Sequence, residues 1–336
     1  MRGLLSRLLA CPTCGGPFRC VPFEESAGGT AVEQGLLLCG CGAGFPIVDS
    51  IPRIVDHPLR EFPRWRARYG AEVARHGTPL DGHPGGGALA GDTERAQERT
   101  RRSFGYQWSA FSEMVCDFRE NFLNYIDPVG LDFFPEKVGL DAGVGFGRHI
   151  YHAASFGAEM VGMDLSVAVD SARLNSRHLE RVHLVQGDIY RPPFRPETFD
   201  FVYSIGVLHH LPDPTRGFRS LERLVKPGGA FLVWLYSDRR RVSNRLLESL
   251  RSLSTRLPHP LLRLVTLGAA LVDWAGFIAP YRVLRSAPLV GRLVERLAFE
   301  RVKNYSRYPF QVVWADWFDR LGAPIRFYYN EATVAE

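Results

Sequence analysis

Lysine is nearly absent from this chain of 336 residues: only Lys137, Lys226 and Lys303 accompany 38 arginines. Arginine binds phosphates and carboxylates through two parallel hydrogen bonds, so its excess is compatible with an anionic partner. The formal net charge, however, is only +5, and a codon bias toward arginine explains the ratio more simply. The charge balance by itself predicts no particular partner.

Long apolar runs and dispersed cysteines are missing as well. No segment has about 18 uncharged apolar residues, so we expect no membrane-spanning helix. The N-terminal segment MRGLLSRLLA is too short and too broken for a secretory signal. Five of the six cysteines lie within the first 41 residues and include a C-x-x-C pair. Such clustering is typical of a metal site rather than a disulfide framework, and it predicts a reducing, cytoplasmic location.

The residues that are present divide the chain into five parts. Hydrophobic residues make up 46% and charged residues 23%, which is typical of a folded chain large enough for two domains. Eight of the fifteen residues from Gly77 to Gly91 are glycine or proline, so this stretch is predicted to be flexible. The predicted parts are a small module (1–56), a linker (57–95), a core (96–238), a helical region (239–310) and a C-terminal part of the core (311–336).

The predicted core alternates β-like runs with helical stretches. The runs are 138–142, 159–165, 182–188, 199–205 and 230–236. This order is typical of a doubly wound, mostly parallel sheet with helices on both faces. The predicted fold class is therefore α/β, with a small N-terminal β-rich domain and a helical insertion.

A glycine-rich loop follows the first of these strands. LDAGVGFGRHI (140–150) places Gly143, Gly145 and Gly147 at alternate positions after Asp141. Glycine there lets backbone N–H groups and a helix N-terminus approach a ligand closely. A dinucleotide fingerprint would need a small residue at position 148, which is an arginine.

Acidic residues end the next two strands. Asp164 ends the second strand, where a carboxylate can accept hydrogen bonds from both hydroxyls of a ribose. Asp188 ends the third strand, where it can accept a hydrogen bond from an adenine amino group while Ile189 packs on the ring. Neither residue is diagnostic alone, because NAD sites also use the first arrangement and aspartate also caps helices and turns.

Two later segments complete a pattern, FDFVYSIGVLHHLPDP (199–214) and LVKPGGAFLVW (224–234). From 140 to 234 the sequence resembles class I S-adenosylmethionine-dependent methyltransferases, whose sheet is Rossmann-like. The resemblance implies methyl transfer with S-adenosylmethionine as cofactor, its methionine end at Asp141 and the glycine loop, its ribose at Asp164 and its adenine at Asp188. The predicted cofactor-binding residues are Tyr106, Asp141, Gly143, Gly145, Gly147, Asp164, Leu165, Asp188, Ile189, Ser204 and Ile205.

The segment after the fourth strand bears on the acceptor. Nucleic-acid N-methyltransferases carry Asn/Asp-Pro-Pro-Tyr/Phe there, whereas this chain has SIGV (204–207); RPPF (191–194) precedes the strand, and no Pro-Cys follows it. The resemblance is therefore to small-molecule methyltransferases acting on natural products, lipids, quinones or sugars, and nucleic acid is not expected as a partner. The alternatives are an RNA or protein methyltransferase that docks through the N-terminal module, and a non-enzymatic cofactor-binding protein.

His209 and His210 are the candidate catalytic residues. A histidine at the carboxyl edge of the sheet suits a general base. The His-His-Leu-Pro string recurs in methyltransferases with unlike substrates, however, which favours a structural role, and alignment of the reactants can supply most of the rate. Upstream, Tyr106 and Trp108 in FGYQWSAF (104–111) either close the cofactor pocket or pack on the sheet.

The N-terminal cysteines resemble a zinc ribbon. LACPTCGGPF and GLLLCGCGAGFPIVDSIPRIV are similar to the small domain found in the activator subunit of tRNA and release-factor methyltransferases. Two thiolate pairs would give a closed, structural zinc site, here Cys11, Cys14, Cys39 and Cys41. The second pair is C-x-C instead of C-x-x-C, so a metal-free ribbon, or Cys20 as a replacement ligand, stays open.

The last third of the chain has no motif of its own. Residues 239–263 carry seven arginines and one glutamate, and a nearly apolar stretch follows, which predicts basic amphipathic helices around a buried one. The helical region (239–310) has three interpretations: a lid over the acceptor, a membrane-surface face or a homodimer interface. The resemblance favours the lid, because insertions after strand five build the substrate pocket in related enzymes.

The resemblance also implies a β-hairpin after strand five, with the strand order 3-2-1-4-5-7-6. Only RFYYN (326–330) is β-like after residue 310, and Asn330 is predicted to cap a helix that begins with EATVAE. An apolar edge strand is a liability that proteins cover. We therefore expect that the chain is truncated, or that residues 239–310 or a second subunit cover the edge of strand five.

Overall fold

A computed structural model describes residues 1–77, 91–288 and 290–335 of the chain, so the predicted flexible stretch from Gly77 to Gly91 lies almost entirely outside the described residues. The strands are β1 (Phe18–Glu25), β2 (Val32–Cys39), β3 (Gly44–Val48), β4 (Ile51–Ile54), β5 (Val138–Ala142), β6 (Glu159–Asp164), β7 (Val182–Gly187), β8 (Phe199–Ile205) and β9 (Val225–Trp234). The α-helices are α1 (Gly3–Leu8), α2 (Pro63–Arg75), α3 (Asp92–Ala110), α4 (Arg119–Ile126), α5 (Arg148–Ser155), α6 (Ala168–Ser176), α7 (Pro214–Glu222), α8 (Arg241–Ser254), α9 (His259–Asp273), α10 (Ala279–Leu284), α11 (Gly291–Leu297), α12 (Glu300–Tyr305), α13 (Phe310–Gly322) and α14 (Glu331–Ala335).

Five parallel strands form the core of the sheet in the order β7-β6-β5-β8-β9. Leu140 in the central strand pairs with Val161 on one side and Val202 on the other. These strands are short apolar runs because both faces are covered, as parallel sheets require. The predicted doubly wound α/β fold is confirmed, and the fifth strand begins at Val225, earlier than its sequence indicated.

Helices cover each face of this sheet. On one face Ile150 of α5 and Val169 of α6 pack with Met160 and Leu184. On the other face Leu221 of α7 shares a cluster with side chains of the N-terminal module such as Leu37 and Phe45. Helix α7 begins as predicted, with proline in its first turn, and the Asp213 side chain accepts a hydrogen bond from the backbone N–H of Arg216.

The N-terminal module is joined to the core through the sheet. Strand β4 runs parallel to β7, with Arg53 opposite Gln186, so the full sheet has nine strands in the order β1-β2-β3-β4-β7-β6-β5-β8-β9. The Arg53 side chain is fully buried; it donates to the Asp170 carboxylate at 2.6 Å and to the Gln186 amide oxygen at 3.3 Å. Burying a guanidinium requires such partners, so this contact ties module and core together.

Part of the stretch predicted as a linker (57–95) is helical. Helix α2 buries Trp65 and Val73 against Leu36 and Leu38 of β2, and Phe23 of β1 stacks on Trp65. Residues 63–75 therefore pack on the N-terminal module.

The helical region contains one long helix, formed by α9, the π-helical turn Trp274–Ile278 and α10. Its inner face packs on α13, where Leu262 contacts Phe318 and Ala270 contacts Val313. The sequence predicted that this apolar stretch is buried and that no helix could span a membrane. The expectation of burial is wrong, because only 28% of the most apolar window of the helix His259–Leu284 is buried. By length and composition alone this helix could also cross a membrane.

The outer edge of β9 has no strand partner among the described residues. The tail crosses the end of β9 in an extended form, where the backbone N–H of Phe327 donates to the His209 carbonyl and that of Tyr329 to the Tyr236 carbonyl. Helix α14 follows, capped as predicted by the Asn330 side chain, which accepts from the Thr333 N–H at 3.1 Å.

Candidate functional site

A cavity of about 790 Å³ opens at the carboxyl ends of β5, β6, β7 and β8. This edge is where ligands bind in doubly wound sheets, and the volume suits a cofactor together with part of an acceptor. Among the predicted cofactor residues, those that line the cavity are Gly143, Gly145, Asp164, Leu165, Asp188, Ile189 and Ile205.

The glycine loop has a backbone that other residues adopt only with strain. The φ angles of Gly143, Gly145 and Gly147 are +95°, +53° and +91°. A Cβ at position 143 would lie 2.3 Å from a Val207 methyl, and one at position 145 would lie 3.3 Å from the Trp108 indole nitrogen. The loop is therefore a narrow cradle between β5 and α5 that only glycine fits. Gly147 itself is not part of the cavity wall and packs on Ala172 of α6.

Asp164 lies at the end of β6, and its carboxylate is hydrogen-bonded to the glycine loop. Its Oδ2 accepts from the Gly145 N–H at 3.0 Å, and its Oδ1 accepts from the N–H and the hydroxyl of Ser166 at 2.8 and 2.7 Å. Burial raises the pKa of Asp164, and these three donors oppose the rise. A carboxylate offers about four lone-pair positions, so about one is left for a ribose hydroxyl rather than the two that the sequence suggested.

Asp188 ends β7 and is contacted from α3. Both of its carboxylate oxygens lie 3.1 Å from the amide nitrogen of Gln97, and Oδ1 also accepts from the Tyr190 N–H at 2.9 Å. Burial raises the pKa of Asp188. Gln97 and Tyr190 thus take up part of the accepting capacity of Asp188, which leaves about one position for an adenine amino group. Sequence reasoning missed Gln97, because it lies 91 residues before its partner and in no motif.

Asp141 lies just before the loop, behind the cavity wall. Its Oδ2 is buried and has no hydrogen-bond partner in the described part of the chain. Burial raises the pKa of Asp141 to about 7, which the neighbouring Tyr203 hydroxyl opposes. A buried carboxyl oxygen that lacks a partner among the described residues, next to a glycine cradle, fits a cofactor that carries positive charge, as S-adenosylmethionine does.

Two predicted cofactor residues lie elsewhere. The Tyr106 ring stacks between His259 and Phe318, so it belongs to the contact between α3 and the helical region and not to the cavity. The nearby Trp108 faces the loop instead, with its ring tilted against that of Phe146. Ser204 is buried in β8, and its hydroxyl donates to the Ala142 carbonyl at 3.0 Å, which ties β8 to β5.

The wall opposite the glycine loop comes from α12, α13 and the turn between them. Gln311, Trp314 and Asp319 line it, together with Tyr305 and Tyr308. No motif marks these residues, so sequence reasoning missed them; the only signal was the aromatic run in 311–329.

Asp319 is one of two acids of this wall that are held by several hydrogen bonds, the other being Asp316. Its Oδ2 accepts from the Tyr236 hydroxyl at 2.8 Å and from the Arg326 guanidinium at 3.0 Å. Asp319 is thereby held in one orientation at the cavity surface.

The two candidate catalytic histidines are in different positions. His210 lines the cavity, and its Nδ1 lies 2.6 Å from the Ile325 carbonyl, which can only accept, so Nδ1 carries the proton and Nε2 carries the lone pair. Burial lowers the pKa of His210 to about 3. His209 lies behind it against Tyr236, and both of its ring nitrogens lack hydrogen-bond partners among the described residues. Burial lowers the pKa of His209 well below its ordinary value.

The four predicted zinc ligands come together in the N-terminal module. The Sγ atoms of Cys11, Cys14, Cys39 and Cys41 all lie within 4.8 Å of one another, with Cys11–Cys41 at 3.8 Å and Cys14–Cys39 at 3.3 Å. Tetrahedral Zn–S bonds of about 2.3 Å place sulfur atoms about 3.8 Å apart. The donor set therefore fits zinc despite the C-x-C spacing, and Cys20 lies outside the cluster.

Comparison with known proteins agrees with this geometry. A family model described as a methyltransferase domain matches residues 140–233. Phosphoethanolamine N-methyltransferase 2 of Caenorhabditis elegans is 32% identical over 129 residues, which is 34% of this chain and 30% of that protein. The chain thus spans less than a third of that relative. The ubiquinone biosynthesis O-methyltransferase of Alkalilimnicola ehrlichii is 32% identical over 190 residues, or 53% of this chain and 73% of the relative.

Among solved structures, the YcgJ protein of Bacillus subtilis aligns with 39% of this chain and 59% of its own, at 24% identity and a TM-score of 0.35. The extent of the match to the Alkalilimnicola ehrlichii protein, and the matched domain at the glycine loop, identify the family. The chain belongs to the class I S-adenosylmethionine-dependent methyltransferases.

Proposed function

We propose that this chain methylates a small molecule of the natural-product, lipid, quinone or sugar type. The observation that carries the proposal is the cavity of about 790 Å³, which runs from the glycine loop and Asp164 to Trp314 and Asp319 on α13. The names of relatives acting in ubiquinone biosynthesis and on phosphoethanolamine support a small acceptor. The absence of the Asn-Pro-Pro-Tyr segment after β8 also supports it.

Binding and alignment are the main tasks of the residues around the cavity. When bound, S-adenosylmethionine supplies a methyl group on a positively charged sulfur, ready for in-line displacement. Asp164 and Asp188 would fix the nucleoside, and the loop Gly143–Gly147 would position the reactive end against β5. The aromatic wall, Trp108 on one side and Trp314 on the other, excludes water. Holding two reactants in line in this way can supply about 7–11 kcal/mol of the barrier.

A proton acceptor for the substrate is available in two places. Nε2 of His210 has a free lone pair, but the low pKa of this buried ring makes it a weak base. The carboxylate of Asp319 is held toward the cavity by Tyr236 and Arg326. We assign His209 a structural role, because it lies behind His210 and outside the cavity wall.

The N-terminal module is proposed to hold one structural zinc ion through its four cysteines, with no open coordination position. We further propose that the protein works in the cytoplasm, where thiolates stay reduced. Zinc would stabilise the turns around Cys11 and Cys39, and through β4 the core sheet.

The test is methyl transfer from S-adenosylmethionine carrying a labelled methyl group. The full chain is incubated with separated small-molecule, lipid, RNA and protein fractions of a cell extract, and the label in each fraction is counted. Label in the small-molecule or lipid fraction supports the proposal. Label confined to RNA or protein would instead support a macromolecular methyltransferase that docks through the zinc ribbon. An Asp164→Ala variant is the control for transfer that does not depend on this site.

A further inference from the structure

The long helix His259–Leu284 exposes apolar residues to the outside and turns its charged residues toward the protein. Helices on protein surfaces place polar residues outward and apolar residues inward. Between residues 260 and 284, in contrast, all thirteen exposed residues are apolar or glycine. They are Pro260, Leu261, Leu264, Val265, Gly268, Leu271, Val272, Ala275, Gly276, Phe277, Pro280, Val283 and Leu284. We call these thirteen residues the apolar face.

The charged residues of the same helix are turned away from the apolar face. Arg263 lies over the Trp314 ring and lines the cavity, and Asp273 accepts from Arg301 at 2.6 Å. The Arg282 guanidinium donates to the Ser306 carbonyl at 2.7 Å. This orientation of the helix is therefore stabilised by the protein itself, because each of its three charged side chains contacts a partner within the fold.

Helices α8 and α11 of the same region expose further apolar side chains and add positive charge. Exposed leucines and one phenylalanine lie on or next to α8 and α11: Leu246, Leu250, Leu253, Leu293, Leu297 and Phe299. Exposed arginines accompany them: Arg245, Arg256, Arg285, Arg292 and Arg296. Residues 239–300 hold eleven arginines against four acidic residues.

We propose that the apolar face docks on the surface of an anionic lipid bilayer. Protein interfaces keep polar groups even at their centre, where roughly 65% of the area is apolar, whereas this face offers no side chain that could hydrogen-bond a partner. Amphipathic helices that bind membranes combine a fully apolar side with arginines that reach the headgroups. The arginine excess around the face matches that chemistry.

The helix lies along the membrane and does not cross it. Its other side is packed on α13 through Leu262, Ala270 and Thr266, all of which are buried, and Asp273 is held in an ion pair. Spanning would place that ion pair in hydrocarbon. Lying flat, a helix of 26 residues presents a stripe about 39 Å long to the bilayer.

Docking would hold the catalytic cavity near the membrane, one helix diameter (about 10 Å) from it, because the cavity lies on the other side of this helix. Arg263 lines the cavity, while the next two residues, Leu264 and Val265, belong to the apolar face. The docked protein would therefore take an acceptor dissolved in the bilayer, a consequence that rests on the proposed function. The docking itself does not depend on catalysis and is tested without it.

The experiment is flotation of the full chain, without detergent, with vesicles of phosphatidylcholine alone or of phosphatidylcholine containing phosphatidylglycerol. The double variant Leu264→Glu/Val272→Glu places two charges on positions that are 64% and 68% exposed. The matched control is Leu174→Glu on α6, 56% exposed and outside the apolar face. A second pair, Arg292→Glu/Arg296→Glu, removes charge without altering the long helix. Thermal denaturation verifies that each variant is folded.

Wild type and Leu174→Glu are expected to float with the anionic vesicles, and both double variants should bind them at least tenfold more weakly. The arginine pair should change binding to pure phosphatidylcholine little. Three results would overturn the proposal: no flotation of wild type with either vesicle, equal flotation of Leu264→Glu/Val272→Glu, or a wild-type dimer in solution that this variant converts to monomer. The last result would assign the face to a second copy of the chain. Loss of methyl transfer with flotation intact would count against the proposed function alone.

Discussion

Replacing Asp164 by alanine should weaken S-adenosylmethionine binding by an amount that the structure sets. Gly145 and Ser166 already occupy three positions of the carboxylate, which leaves about one hydrogen bond for the ribose. A hydrogen bond to a charged acceptor contributes about 1.5–3 kcal/mol, which corresponds to an affinity loss of about 10- to 150-fold. The affinity loss should lie near the upper end of this range, because the substitution also removes the acceptor of the Gly145 N–H and so loosens the glycine loop.

Isothermal titration calorimetry with S-adenosylmethionine and with NADH measures this directly. The matched control is Asp200→Ala, since Asp200 begins β8 at the opposite end of the sheet and bonds to Lys226 and the Val138 N–H. The affinity of the Asp200→Ala variant for S-adenosylmethionine should stay within about twofold of wild type. Unchanged affinity in Asp164→Ala, or tighter binding of NADH than of S-adenosylmethionine by wild type, would refute the reasoning.

Three further predictions concern the loop, the metal and the buried acid. Gly143→Ala should lose cofactor binding and melt at lower temperature, because its Cβ would lie 2.3 Å from a valine methyl, whereas Gly268→Ala, in open space within α9, should raise stability by about 0.5–1 kcal/mol. Wild type purified without chelator should contain one zinc by elemental analysis, Cys39→Ser should lose it and Cys116→Ser should keep it; a nearly metal-free wild type would contradict the ribbon site. Burial raises the pKa of Asp141 from 3.8 to about 7, so the folded state retains a proton that the unfolded state releases. Its contribution to stability is complete below pH 4 and is lost as the pH rises through 7; denaturation curves of Asp141→Asn should lack this component, and an identical pH dependence in both proteins would contradict it.

The parts of the fold that the sequence predicted are those whose chemistry is local. Each core strand is a short apolar run, and the glycine loop needs its residue types within a few positions of each other, so both can be recognised without knowing the fold. The cysteine cluster is a similar case, since two pairs on turns need only one β-hairpin to bring them together. Its C-x-C pair left metal retention open, and in the folded chain all four sulfur atoms converge despite that spacing.

The parts that were missed depend on contacts between distant segments. Gln97 reaches Asp188 and Asp319 meets Tyr236 only after the chain has folded. Tyr106 and Trp108 were predicted together, either to close the cofactor pocket or to pack on the sheet, yet on a helix these two residues point to different sides. The long helix shows a further limit: hydropathy measures how apolar a segment is, and it does not show whether the apolar side meets a protein core or the outside.

The pairing of β4 with β7 also determines how the sheet meets other molecules. An uncovered edge strand offers a row of free backbone donors and acceptors, which can template pairing with a neighbouring chain and start aggregation. In this protein β4 of the N-terminal module pairs with the β7 edge of the core, and the buried Arg53 of β4 forms an ion pair with Asp170 of α6. Removing the module would uncover β7 and the apolar side chains beneath it at the same time. The N-terminal module thus occupies the β7 edge of the core, and β1 takes its place as the outer edge strand of the sheet.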